Sequence, residues 1–205
     1  MSRSSLNRTF AYYRFVDGAG AIVESGTRVR TRRAILDAAV SALTRNPQAA
    51  LADIALVANV GRSTVHRYFP ERSDLLAAIG TDATEKIAAA TVRARLGDGS
   101  APDALTRLAQ EYFELGDLLL LVINRPDMFD IVDWVTDTDA DRALILTIER
   151  GHVEGTVDTK LDPAWIQYLL WGLLISSWEL TRLTRAPKHH VLGQCIYTLT
   201  KAITP

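Results

Sequence analysis

From Arg28 to the end of the chain, apolar residues recur at steps of three and four, and no stretch of useful length alternates apolar with polar. Such stripes leave water only by packing helix against helix, so the pattern predicts an all-α fold. Ile35, Leu36, Ala39, Val40 and Leu43 mark a helix over 28–45, stopped at Asn46-Pro47. A short helix over 51–58 carries Leu51, Ile54, Ala55 and Ala58. Asn59-Val60-Gly61 makes a tight connection, and a third helix over 62–69 turns Val65 and Phe69 inward before Pro70 ends it. Ser73 or Asp74 then caps a longer helix that runs to about Leu96. Further helices are expected over 102–123, 127–135, 139–154, 163–184 and 188–203, punctuated by Gly97-Asp98-Gly99-Ser100, Pro126, Gly155 and Pro187.

Composition narrows the class. The chain has 205 residues, 48% of them hydrophobic and 23% charged, which suits a folded globular protein with a core that needs no disulfide or structural metal. Its single cysteine, Cys195, excludes an internal disulfide and a cysteine zinc site, and reads as a small buried hydrophobe. The first 27 residues lack a sustained period and contain Gly18, Gly20 and Gly26, the pattern of a mobile basic arm. They hold no uninterrupted apolar stretch fit for a signal peptide, so a cytoplasmic location is expected. The Gly18-Ala-Gly20 segment fails as a nucleotide fingerprint, because its third glycine falls at Val23 and no strand precedes it. Ala164 to Leu180 is very apolar but short for a membrane span and carries Gln167 and Glu179, so it reads as a buried or subunit-interface helix.

The net charge of −1 conceals a segregation. Residues 1–75 hold 11 arginines and 6 acidic residues, a balance of +5, whereas residues 76–205 hold 12 basic and 18 acidic residues, a balance of −6. A basic first third points to a polyanionic partner and an acidic remainder to another task. This suggests three regions: an arm over 1–27, a basic module over 28–75 and a larger acidic helical domain over 76–205.

Within the basic module, two short helices joined by a three-residue turn form a helix-turn-helix, whose second helix can enter a major groove. With Val65 and Phe69 facing the core, Arg62, Ser63, His66 and Arg67 are left on the outward face, all of them hydrogen-bond donors suited to base edges or phosphates. The bland alternative for that face is a solvated helix end. Two more basic clusters flank it: Arg28-Val-Arg-Thr-Arg-Arg33 at the start of the first helix and Arg72 at the start of the fourth, both able to reach backbone phosphates.

Thr31-Arg-Arg-Ala-Ile-Leu-Asp-Ala-Ala39, Ile54-Ala55, Val60-Gly-Arg-Ser-Thr-Val-His-Arg-Tyr-Phe69 and Asp74-Leu75-Leu76 together resemble the N-terminal DNA-binding region of the TetR family of bacterial transcriptional regulators. The resemblance covers about 28–76. It implies a three-helix reading module followed by a helical domain that binds a small molecule and forms a homodimer through the last two helices. By position, Arg62, Ser63, Thr64, His66 and Arg67 would occupy the recognition helix, and Tyr68 and Arg72 would lie at phosphates, joined by Arg28, Arg30 and Thr31 of the first helix. Gly61 replaces the customary serine cap, His66 a common tyrosine, and Ala50 a threonine that often caps the second helix. The expected partners are therefore double-stranded operator DNA, a small-molecule effector and a second copy of the chain, with no membrane and no cofactor.

For the effector, aromatic and sulfur side chains of the acidic domain supply candidate pocket walls: Tyr112, Phe113, Met128, Phe129, Trp134, Trp165, Tyr168, Trp171 and Trp178, with Gln167, Glu149 and His152 as polar anchors. Ordinary core is the competing role for each. The expected effector is mainly apolar. Two other classes compete: a helical module binding an acidic protein surface, and a helical-bundle enzyme. Glu149 and His152 have the Glu-x-x-His spacing of carboxylate-bridged metal bundles, but the second such pair is missing, and Cys195 has no assignable partner histidine, so no catalytic residue is expected.

Overall fold

The computed structural model of the chain describes residues 26–124 and 138–205. Every regular element among them is a helix: α1 Gly26–Arg45, α2 Leu51–Val57, α3 Arg62–Tyr68, α4 Arg72–Ala94, α5 Ala101–Phe113, α6 Gly116–Ile123, α7 Asp139–Glu154, α8 Pro163–Thr184 and α9 Lys188–Ile203. Helix α1 starts two residues earlier than its periodicity marks; residues 1–25 of the expected arm and the expected helix over 127–135 lie outside the described residues.

Helices α1, α2 and α3 close over one apolar cluster. Ile35, Leu36, Ala39 and Leu43 of α1 meet Ile54 and Ala55 of α2, Val65 of α3 and the adjoining Phe69, all essentially buried. The turn between α2 and α3 is made by Asn59 in the left-handed region (φ 53°), a conformation asparagine tolerates better than most residues. The Val60 amide returns to the Ala55 carbonyl at 3.0 Å. Gly61 caps α3 with an ordinary extended backbone (φ −68°) and no side-chain bond, so no cap side chain takes up the amides of its first turn. Ala50 likewise offers α2 no side-chain cap. Its own amide instead donates to the Asp53 carboxylate at 2.8 Å, the reciprocal half of a capping box.

At the start of α4 the cap differs from the expected Ser73 or Asp74. Glu71 occupies the cap position, and Asp74, one turn inside, accepts the Glu71 amide at 2.9 Å. The helix continues unbroken for 23 residues, so the boundary expected after residue 75 falls inside a single helix. Its far end is held by arginine side chains: Arg107 donates to the carbonyls of Ala94, Arg95 and Asp98, and Arg150 to those of Leu96 and Gly99.

The helix expected over 102–123 is two. Helix α5 stops at Phe113, the Leu115 amide tightens onto the Tyr112 carbonyl at 3.0 Å, and Gly116 opens α6. Trp178 of α8 explains the break. Its indole Nε1 donates to the freed Phe113 carbonyl at 3.0 Å, and its ring lies so close to Gly116 that a Cβ there would sit 2.5 Å from it. Helix α6 buries Leu118 to Val122 on every side and packs against α1, α4 and α8, as an all-round apolar helix must. Helices α7, α8 and α9 all pack against α5, and α8 also packs against α7 and α9. No helix of the described residues is long and apolar enough to cross a membrane.

Candidate functional site

The outward face of α3 carries Arg62, Ser63, His66 and Arg67, all exposed, with Thr64 half-buried beside them. Buried Val65 and Phe69 fix the opposite face, so the helix has one rotational setting. The guanidinium of Arg67 lies over the Tyr68 ring at 5.6 Å from its centroid, and His66 Nδ1 is 3.4 Å from the Pro70 carbonyl oxygen. Tyr68 donates its hydroxyl to the Arg28 carbonyl at 3.2 Å, which ties the end of α3 to the start of α1 and brings exposed Arg28 and Arg30 alongside it. Arg30 is bonded to Thr27 Oγ1 at 3.1 Å, and Thr31 returns its hydroxyl to the Thr27 carbonyl.

Two arginines of the flanking clusters are already committed within the protein. Arg72 donates to the carbonyls of Ala49 and Pro47, clasping the α1–α2 loop from the start of α4, so it positions that loop whatever else it touches. Arg33, expected with its neighbours near phosphates, turns away from them. It pairs with Asp37 one turn on in α1 and with Asp82 of α4, and this pairing holds the Asp37 carboxyl below the usual carboxylate range. Arg32 stacks its guanidinium over Phe69 at 5.5 Å. The basic surface is thus carried by Arg28, Arg30, Arg32, Arg62 and Arg67, while Arg33 is taken up by carboxylates.

The candidate effector residues divide. Tyr112 is buried, its hydroxyl 2.8 Å from Thr91 Oγ1, and burial pushes its pKa up to about 12 despite that bond. Trp171 of α8 stacks on it with ring centroids 5.2 Å apart and planes 21° from parallel. Gln167, one turn earlier on α8, donates Nε2 to Asp141 Oδ1 at 2.8 Å, and Thr138 bonds the other oxygen of the same carboxylate. Phe113 is buried next to Tyr112. His152 does not join them, because it sits about three turns beyond Asp141 along α7, with Nε2 enclosed and unbonded. Trp165 and Tyr168 are 60% and 63% exposed and face away from the core, Glu149 is also exposed, and Trp178 serves the α5–α6 break. Met128, Phe129 and Trp134 lie outside the described residues. Among the described residues no group of His, Cys, Asp and Glu is placed to hold a metal ion.

No family model matches the sequence. The transcriptional repressor LfrR of Mycolicibacterium smegmatis, of helix-turn-helix type, is 37% identical over 182 residues, covering 88% of this chain and 94% of the repressor. The chain belongs to the TetR family of transcriptional regulators. Its fold matches the crystal structure of the TetR-like regulator LfrR from Mycobacterium smegmatis bound to proflavine, with a TM-score of 0.71 and 36% identity over 88% of this chain and 99% of that one. The ketosteroid regulator KstR2 of Mycobacterium tuberculosis, at 14% identity and a TM-score of 0.67 over 85% of this chain and 95% of that one, shares the fold.

In this TetR-family chain, Asp82, Asp141 and Thr91 are polar groups that the motifs and their spacing do not single out. A signal existed for the first: Asp82 interrupts the apolar stripe of α4 between Ile79 and Ala83, and it is only 8% exposed. A carboxylate in a core stripe needs a partner.

Proposed function

We propose that the chain represses transcription by binding a roughly palindromic operator as a two-fold dimer, with one α3 per subunit in the major groove, and that a planar aromatic effector releases it. The observation that carries the reading is the outward face of α3, four exposed donors on a helix whose setting two buried side chains fix. In this reading Arg62, Ser63, Thr64, His66 and Arg67 meet base edges, while Arg28, Arg30, Thr31, Tyr68 and Arg72 set register at the backbone. Residues 28–75 form the reading module and residues 76–205 the effector and dimer domain. Half-sites then lie about 34–36 Å apart in the simplest geometry. A repressor works where the chromosome is, so the chain acts in the cytoplasm, and it binds without catalysing.

Partner and effector follow from the acidic domain. Trp165, Tyr168, Leu180 and Leu183 of α8 and Tyr197 of α9 are large apolar side chains left 41% to 70% exposed, a surface suited to the same helices of a second copy. For the effector, the Tyr112–Trp171 stack beside the Gln167–Asp141 pair offers flat apolar walls next to a carboxylate, which fits a planar aromatic cation such as proflavine.

The test selects operator sequences from a randomised duplex pool and measures binding across a salt series. One enriched, near-palindromic sequence, bound with a steep salt dependence and released by proflavine, is expected. Arg67→Ala should weaken operator binding by about 1–3 kcal/mol, and Trp171→Ala should spare it while weakening proflavine about tenfold. No enrichment, or the two substitutions acting the other way round, would overturn the reading.

A further inference from the structure

Helix α4 starts in the reading module and ends in the acidic domain, and Arg33 of α1 crosses to it at mid-length. One guanidinium nitrogen of Arg33 meets Asp82 Oδ1 and another meets Asp37. Asp82 is 8% exposed, and its other oxygen, Oδ2, has no hydrogen bond; Lys86, one turn on in α4, faces that oxygen at 3.2 Å as an ion pair. Three charged groups therefore face the buried carboxylate or its partner: Lys86 from its own helix, and Arg33 and Asp37 from α1. Of these, Arg33 alone hydrogen-bonds to both helices, whereas Lys86 reaches Asp37 of α1 only through space. Above this contact α1 carries the reading module on Ile35, Leu36, Ala39 and Leu43, and on another side it packs against α6 with its buried Leu118 to Val122.

We propose that the Arg33–Asp82 bridge is the positioning pair that fixes the angle of the reading module on α4, and that operator affinity and its loss on effector binding both pass through it. The inference rests on the repressor reading above. A buried carboxylate stripped of its interhelix partner is costly, so the pair has two distinct arrangements, made or broken, rather than a continuous range. An ion pair inside a two-state junction is what lets a distant site shift an equilibrium, because the two states then differ by a discrete contact. Lys86 supplies charge to the same carboxylate without hydrogen-bonding α1 to α4, which provides an internal control.

The experiment uses the full chain, the enriched operator and proflavine as the probe, with variants Asp82→Asn, Arg33→Gln, their combination, and Lys86→Gln. If the pair acts as a bridge, Asp82→Asn and Arg33→Gln each lower operator affinity by about tenfold. The double variant is then no worse than either, and Lys86→Gln stays near wild type. Proflavine affinity of the DNA-free protein is unchanged, but the factor by which operator weakens proflavine binding shrinks in both bridge variants. Mere surface electrostatics gives a different pattern: Arg33→Gln weakens operator binding and Asp82→Asn strengthens it, by removing a negative charge from the basic module. That opposite-sign result overturns the proposal, as does wild-type coupling in both single variants or an equal loss in Lys86→Gln. Arg33→Lys, which keeps the charge but not the forked reach, should fall between and provides a folded control if Asp82→Asn unfolds. Failure of the repressor reading is separately visible, because wild-type protein then enriches no sequence at all.

Discussion

Tyr112 carries a phenol that stays neutral far into the alkaline range, since its ring and hydroxyl lie among apolar neighbours with Thr91 as the polar contact. Its folded pKa of about 12 exceeds the ordinary 10, so the native state holds a proton that the unfolded chain releases first. The resulting stability is fully present below about pH 10 and is lost as pH rises through 12, about 3 kcal/mol in all. Ultraviolet titration of the six tyrosines should show one titrating late, and Tyr112→Phe should remove that step. A titration with no late phenol would mean that Tyr112 is open to water. Legibility differed sharply between side chains of this kind. Val65 and Phe69 announced their burial by spacing, because a four-residue step on a short helix has one meaning. Arg33 did not, because a long flexible stem can serve a phosphate or a carboxylate of another helix, and α4 is remote from it in sequence.

Among the elements, α1 to α3 could be read almost to the residue, since each pairs a clear stripe with a hard stop at Asn46-Pro47, Asn59-Val60-Gly61 or Pro70. The α5–α6 break could not, because Leu115-Gly116-Asp117 continues the helical period and a lone glycine is a weak stop. What ends α5 is Trp178, more than sixty positions later, taking the Phe113 carbonyl and lying against Gly116. Gly116→Ala should therefore cost about 1–3 kcal/mol by overpacking, offset in part by the roughly 1 kcal/mol that alanine gains over glycine in a helix. Thermal unfolding should register a net loss. A rise in melting temperature would show that the indole moves aside freely.

In the whole molecule, the exposed apolar surface of α8 and α9 makes the strongest demand. Leu183 is 70% exposed and sits on the same surface as Leu180 and Tyr168. If a second copy covers that surface, Leu183→Asp places a charge in an apolar interface and should shift the chain to monomers by sedimentation while leaving helix content intact. Operator binding should then lose its dependence on having both half-sites. An unchanged dimer would move the interface elsewhere. Charge divides the sequence near residue 75, and that position lies within the unbroken helix α4. Charge reports which partner a surface meets, whereas a boundary depends on where packing stops, and here it does not stop. Helix α4 spans about 34 Å as one rod. A lineage that acquires a new effector thus cannot borrow another regulator's head by recombining at a loose tether; the crossover must fall within a continuous helix and preserve its rotational phase, so that Arg33 still finds a carboxylate at the position of Asp82.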